Sequence, residues 1–127
     1  MRALLKEVPR RWRRLVGGCD DLLTPRALGA LREAARTGGD RLRGAVEHGE
    51  REEILAALLA ELSEPGMPAV LVVEDVHWAG EATVDVLRYV GRRQDELSVL
   101  VVLTYRNDEV GPGHGVQPLL GELCRAG

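Results

Sequence analysis

Two short stretches of the chain are built almost wholly from aliphatic residues. Residues 70–73 read Val-Leu-Val-Val, and residues 99–103 read Val-Leu-Val-Val-Leu. An unbroken apolar run of this length is typical of a strand that is covered on both faces, as strands of parallel sheets are. We therefore predict two buried strands in a parallel sheet.

Amphipathic segments alternate with these strands. In residues 50–62 leucine and isoleucine recur on one helical face, and acidic residues gather where the positive end of the helix would lie. The predicted helices end near residue 8, run from Thr24 to Gly38, cover residues 50–62 and 81–94, and close the chain near residues 118–125. The alternation predicts an α/β fold with crossover helices.

An arginine-rich segment near the start alternates polar and apolar residues. Residues 11–16 place Trp12 and Leu15 between arginines and precede Gly17-Gly18, which predicts an edge strand. We interpret the arginines at 10, 11, 13 and 14 as the solvated side of that strand. The formal net charge is -3, so a nucleic-acid surface is not indicated.

The composition fits a single globular domain over residues 1–127. Apolar residues make up 45% and charged residues 29% of the chain, which is ordinary for a folded protein. Cys19 and Cys124 are far apart in sequence and are predicted to be buried free thiols rather than zinc or redox groups. With neither a membrane span nor a signal peptide in the pattern, we expect a cytoplasmic, bacterial protein.

The first apolar run ends in two adjacent carboxylates, Glu74 and Asp75. In parallel sheets ligands gather beyond the carboxyl ends of strands, and an acidic pair at such an end is the Walker B arrangement of P-loop ATPases. One carboxylate there holds magnesium through water, and the other orients or deprotonates the attacking water. An acidic strand end that caps the next loop fits the same two residues equally well.

The phosphate-binding half of such a site is not in the sequence. The chain has one lysine, Lys6, between Leu5 and Glu7, so it contains no Gly-x-x-x-x-Gly-Lys-Ser/Thr loop, the Walker A motif that cradles phosphates. A separate enzyme that uses Glu74 and Asp75 as an acid and base pair is disfavoured, because adjacent strand residues point to opposite faces unless the strand ends there.

Three segments together resemble the ATPase domain of large LuxR-type transcriptional regulators, which are signal-transduction ATPases of the AAA-like P-loop class. They are residues 70–89, beginning Val-Leu-Val-Val-Glu-Asp-Val-His-Trp, residues 101–109, Val-Val-Leu-Thr-Tyr-Arg-Asn-Asp-Glu, and residues 19–29, beginning Cys-Asp-Asp-Leu-Leu-Thr-Pro. The resemblance implies a partial P-loop NTPase fold, a three-layer sandwich whose short parallel sheet lacks the first strand and phosphate loop.

The resemblance also implies roles for four residues. Glu74 would take the magnesium role and Asp75 the role of the base. Thr104 would lie at a nucleotide-binding, sensor-like position, and Arg106 would respond to the γ-phosphate; without the family, Arg106 would be interpreted as a surface arginine that pairs with Asp108 or Glu109. ATP and Mg²⁺ are the expected cofactors.

The chain departs from the family at several points. Gly80 replaces the usual Asp after His-Trp-Ala, and we expect no loss of function from it, because Gly is nearly as good an N-cap. Both ends look cut, and no lid and no helix-turn-helix follow. We therefore expect a truncated ATP-binding domain that does not hydrolyse ATP alone, completed by the missing N-terminal ATPase portion or by another chain. A non-catalytic protein-interaction module is the alternative.

Overall fold

The computed structural model describes residues 8–19, 28–64, 66–106, 108 and 116–126. In chain order its elements are β1 (Arg13–Gly18), α1 (Gly29–Ala34) with a 3-10 turn (Ala35–Thr37), α2 (Asp40–His48), α3 (Arg51–Leu62), β2 (Ala69–Glu74), a 3-10 turn (Val76–Trp78), α4 (Glu81–Arg92), a 3-10 turn (Gln94–Glu96), β3 (Val99–Leu103) and α5 (Gln117–Ala126). The predicted α/β fold is confirmed.

The three strands of the described residues form a parallel sheet in the order β1-β2-β3. In its register Leu71 of β2 lies beside Leu15 of β1 and Val101 of β3. Parallel neighbours need a crossover connection, which the helices between the strands supply. All three strands therefore end at the same edge of the sheet, where the predicted site residues follow.

One face of the sheet carries the main core. Leu15, Leu71 and Val73 pack there in a single apolar cluster with side chains of all five helices. α3 and α4 contribute most of the large side chains. Three of them, Ile54, Leu62 and Leu87, are at most 1% exposed. The helical stripes predicted in residues 50–62 and 81–94 are therefore the faces that bury against the sheet.

The opposite face of the sheet has a smaller apolar cluster. Val70 and Val72 pack there with Val8, and Trp12, Val16 and Val102 lie partly buried around them. None of the described helices contributes to this cluster, so the third layer of the expected sandwich is not seen among the described residues.

The prediction that both apolar strands are covered on both faces is right for β2 and wrong for β3. Ala69, Val70, Leu71, Val72 and Val73 are completely buried. In β3, Leu100 is 43% exposed and its neighbours are half-buried. The reason is position: β2 has a strand on each side, whereas β3 pairs with β2 alone among the described residues.

The predicted edge strand exists, but it is shifted toward the carboxyl end. β1 spans Arg13–Gly18 instead of residues 11–16, so Gly17 and Gly18 belong to the strand and do not terminate it. A β-carbon on Gly17 would lie 1.9 Å from the carbonyl oxygen of Ala30. Glycine is required there because α1 packs directly on the strand backbone.

The interpretation of the arginines as a solvated face is wrong for Arg13. Its guanidinium donates hydrogen bonds to the carbonyls of Glu61, at 2.6 Å, and Met67, at 2.8 Å, and pairs with the Glu61 carboxylate. That carboxylate also accepts a hydrogen bond from the Gly39 N–H, at 2.6 Å. These contacts tie the start of β1 to the end of α3 and to the glycines before α2.

Several sequence predictions fall outside the described residues. They are the helix tail in residues 2–7, the cap at Thr24 and Pro25, and the environment of the Cys124 thiol. Cys19 forms no disulfide with the described residues, as predicted, and is half-buried rather than buried. In the part of the chain that is described, no helix has the length and apolar character needed to cross a membrane.

Candidate functional site

The turn that follows β2 separates the two predicted carboxylates. Glu74 is the last residue of the strand, and Asp75 has φ 56° and ψ 45°, in the left-handed region. Asp is one of the few residues that adopt this conformation readily. Because the strand ends between them, the strict alternation of strand side chains no longer forces the two carboxylates to opposite faces.

Three hydrogen bonds join this turn to the end of β3. The Asp75 N–H donates to Thr104 Oγ1 at 3.0 Å, and the Val76 N–H donates to the Thr104 carbonyl at 2.8 Å. The Thr104 N–H in turn donates to the Val73 carbonyl at 3.1 Å. The structure thus brings Thr104 against the acidic turn, and its hydroxyl holds the backbone of Asp75.

Both carboxylates remain free to bind a ligand. Neither Glu74 nor Asp75 makes a side-chain hydrogen bond or an ion pair with the described residues, and both are partly exposed. A β-carbon at Gly18, the register partner of Glu74, would lie 4.0 Å from the Glu74 Cβ. A side chain at position 18 would therefore contact Glu74 at an ordinary van der Waals distance.

The donor set fits magnesium only together with other ligands. Carboxylate oxygens are hard donors, and Mg²⁺ is usually held by one or two carboxylates with waters and substrate phosphates completing its shell. Among the described residues there is no group of three or more His, Cys, Asp or Glu side chains placed to hold a metal. Glu74 and Asp75 therefore suit a magnesium ion that arrives with phosphate.

Arg106 lies at the same edge of the sheet, but its side chain points to solvent. The guanidinium pairs with Asp108 at 2.9 Å, with the two side chains 63% and 65% exposed. This is the surface pairing that the residues alone favoured. The sensor role of Arg106 stays a prediction.

His77 is a residue of this turn whose position the sequence did not reveal. It is 5% exposed, and its Nδ1 accepts a hydrogen bond from the Arg106 N–H at 3.3 Å. Its Nε2 is buried and has no hydrogen-bond partner among the described residues. Trp78, the next residue, is half-buried, and its ring centroid lies 4.7 Å from that of His77. His77 is thus the buried anchor that adds a fourth link between the ends of β2 and β3.

Comparison with known protein families agrees with this arrangement. Residues 1–102 match the family described as AAA ATPase domain. The chain belongs to the AAA ATPase domain family. The parallel sheet with crossover helices is the α/β architecture expected of this domain.

The match to the AAA ATPase domain includes β1, β2 and most of β3, and with them Glu74 and Asp75. Thr104 and Arg106 follow directly after the matched residues. For an AAA ATPase domain, ATP and Mg²⁺ are the cofactors of the family. No curated protein and no solved structure matches the chain.

Proposed function

We propose that the chain is the ATP-binding core of a signal-transduction ATPase of the LuxR-type regulator class, and that these 127 residues neither bind nor hydrolyse ATP on their own. The observation that supports it is the junction of the acidic turn with Thr104, through the 3.0 Å hydrogen bond from the Asp75 N–H. It joins the acidic turn and Thr104 at one carboxyl edge of a parallel sheet, where such sheets bind ligands, which supports roles for them as a Walker B pair and a sensor-like residue.

In this proposal the carboxylates of Glu74 and Asp75 have different roles. Glu74, at the end of β2, would hold the magnesium ion. Asp75, held by Thr104, orients the attacking water and accepts its proton. Magnesium, when bound with ATP, supplies charge neutralisation on the phosphates.

In this proposal the 127 residues lack the loop that binds the phosphates of ATP. Backbone N–H groups of a glycine-rich loop and its lysine make most contacts with a triphosphate, and the sequence has no such loop. Arg106, which follows β3 at the same edge of the sheet, is already paired with Asp108. We propose that the phosphate loop comes from ATPase residues outside these 127 or from another polypeptide.

Isothermal titration calorimetry with Mg²⁺ and ATP tests the proposal. We expect no saturable heat from the 127-residue chain and saturable binding by a version extended upstream to include a phosphate loop. In the extended version Asp75→Asn keeps a residue that accepts the left-handed backbone, and we expect it to bind ATP but lose hydrolysis. Asp85→Asn, the same change at a residue of α4 that pairs with Arg51 away from the acidic turn, is the matched control and retains hydrolysis.

Two results would contradict the proposal. Saturable ATP binding by the short chain would require a phosphate site other than the one described. Full hydrolysis by the extended Asp75→Asn variant would remove Asp75 from the mechanism.

A non-catalytic protein-interaction module is the second candidate function. It is favoured by β3, because Leu100 is exposed on a strand that pairs on one side among the described residues, and exposed strand edges pair with other chains. The upstream genomic sequence separates the two candidates. A continuous reading frame that encodes a glycine-rich loop supports the ATPase core, whereas a stop codon followed by a ribosome-binding site supports the module.

A further inference from the structure

A cavity of about 640 Å³ opens beyond the carboxyl end of β1. Its walls come from the end of β1, from α1 and α2, and from the segment that leads into α4. None of the four residues assigned to nucleotide chemistry lines it. A volume of this size accommodates a small organic molecule.

The start of α4 forms one wall of this cavity. α4 has 12 residues, and its N-cap is Gly80, which has no side chain to accept hydrogen bonds from the first-turn N–H groups. Those groups carry the positive end of the helix dipole and suit an anion. Glu81, the acidic residue of the first turn, is exposed, makes no cap hydrogen bond and does not line the cavity.

Thr83, two residues further along α4, is the second observation that points to a ligand. It lines the cavity and is 3% exposed, yet it makes no hydrogen bond with the described residues. Its hydroxyl oxygen is not fully enclosed, in a residue that borders the cavity. A buried hydroxyl is normally hydrogen-bonded, and this one has a donor and acceptors to offer a ligand.

The opposite wall is rich in arginine. Arg32 donates to the Val46 carbonyl and Arg43 pairs with Asp40, whereas Arg36 has no partner among the described residues. Glu33 and Glu47 also line the cavity and, like Arg36, are exposed. Arg36 is therefore the cation available to a bound anion.

We propose that this cavity binds a small phosphomonoester that carries a flat apolar group. The phosphate binds at the start of α4, between its first-turn N–H groups, the Thr83 hydroxyl and Arg36, since Gly80, Thr83 and Arg36 all line the same cavity. The flat group lies against Trp78, a half-buried cavity residue whose ring offers an apolar surface. The site is independent of ATP binding at Glu74 and Asp75.

Titrations with inorganic phosphate and phenyl phosphate test the site, with tryptophan fluorescence as the signal. In a Trp12→Phe background Trp78 is the one tryptophan left. We expect saturable changes with both probes and tighter binding of phenyl phosphate, while uncharged phenol gives none. Calorimetry on the unmodified chain repeats the titration without relying on the Trp12 substitution.

Gly80 offers a matched pair of variants, because a β-carbon there meets nothing within 4 Å. Gly80→Asp places a carboxylate over the first-turn N–H groups, so we expect phenyl phosphate binding to weaken about tenfold or more. Gly80→Ala adds the β-carbon without the charge and retains binding. Thermal unfolding checks that Gly80→Asp is folded.

Substitutions on the opposite wall complete the test. Arg36→Gln weakens binding about tenfold, since a charge-assisted hydrogen bond is lost, and Glu33→Gln leaves it unchanged or tighter. The proposal is overturned if neither probe binds saturably, if Gly80→Asp and Gly80→Ala bind alike, or if Arg36→Gln binds as the parent chain does.

Discussion

β2 and β3 are adjacent parallel strands of almost the same composition, and they have different surroundings. Every residue of β2 from Ala69 to Val73 is completely buried, whereas Leu100 of β3 is 43% exposed. β2 has a neighbour on each side, and β3 has one among the described residues. The comparison teaches that an aliphatic run specifies a strand, and that the neighbours of the strand decide what each residue contributes to stability.

Lysine substitutions on one row of the sheet should give the largest difference. Val70 and Leu100 are register partners. We expect Val70→Lys to prevent stable folding, because an ammonium group would be buried without a partner. Leu100→Lys should change the free energy of unfolding by no more than about 0.5 kcal/mol. Far-UV circular dichroism during urea unfolding measures both, and similar losses would show that β3 is as enclosed as β2.

Valine-to-alanine substitutions at the next register pair on this face compare the burial of β2 and β3 with the same change on both strands. Val72 and Val102 are register partners in the smaller cluster. Val72→Ala should cost about 2 kcal/mol, since two fully buried methyl groups are lost. Val102→Ala should cost about half as much, because Val102 is only partly buried. Urea midpoints at equal slope give the comparison, and a larger cost at Val102 would contradict it.

The hydrogen bond from the Asp75 N–H tests whether the ends of the two strands act as one unit. Thr104→Val removes the oxygen that accepts it, so we expect a loss of about 1 kcal/mol and faster hydrogen exchange at the Asp75 amide. Thr104→Ser keeps the oxygen and serves as the control. Unchanged exchange in Thr104→Val would mean that the two ends open separately.

The exposed ion pair after β3 should contribute least to the free energy of unfolding. Asp108→Ala removes the ion pair with Arg106, whose side chains are both more than half exposed. Such surface pairs contribute about 0–1 kcal/mol, and we expect a change below about 0.5 kcal/mol that vanishes at high salt. A larger loss would indicate that Arg106 helps to hold the end of β3.

Much of the fold follows from periodicity. The runs at residues 70–73 and 99–103 and the helical stripes in residues 50–62 and 81–94 lie within the observed elements. α2 was missed because it is short and polar and Leu42 is its one buried residue, so its apolar pattern does not repeat over several turns. The exposure of β3 was missed because it depends on which strands lie alongside.

The candidate site was partly predictable for a topological reason. Parallel strands end at one edge, so residues after β2 and after β3 had to lie near each other. The Thr104 link to Asp75, the burial of His77 and the convergence of Arg36 and Thr83 on one cavity depend on side-chain geometry between distant segments. No spacing rule along the chain encodes such contacts.

Because Asp75 has a left-handed backbone, an Asp at this position is not by itself evidence of catalysis. Selection for folding alone would restrict this position mainly to Gly, Asn and Asp, whether or not the carboxylate ever meets a nucleotide. Glu74 is under no such constraint, because its strand conformation suits any residue with a side chain that fits. Among descendants that had lost catalysis, position 74 would be substituted first. An acidic residue retained at position 74 is therefore stronger evidence of catalysis than one retained at position 75.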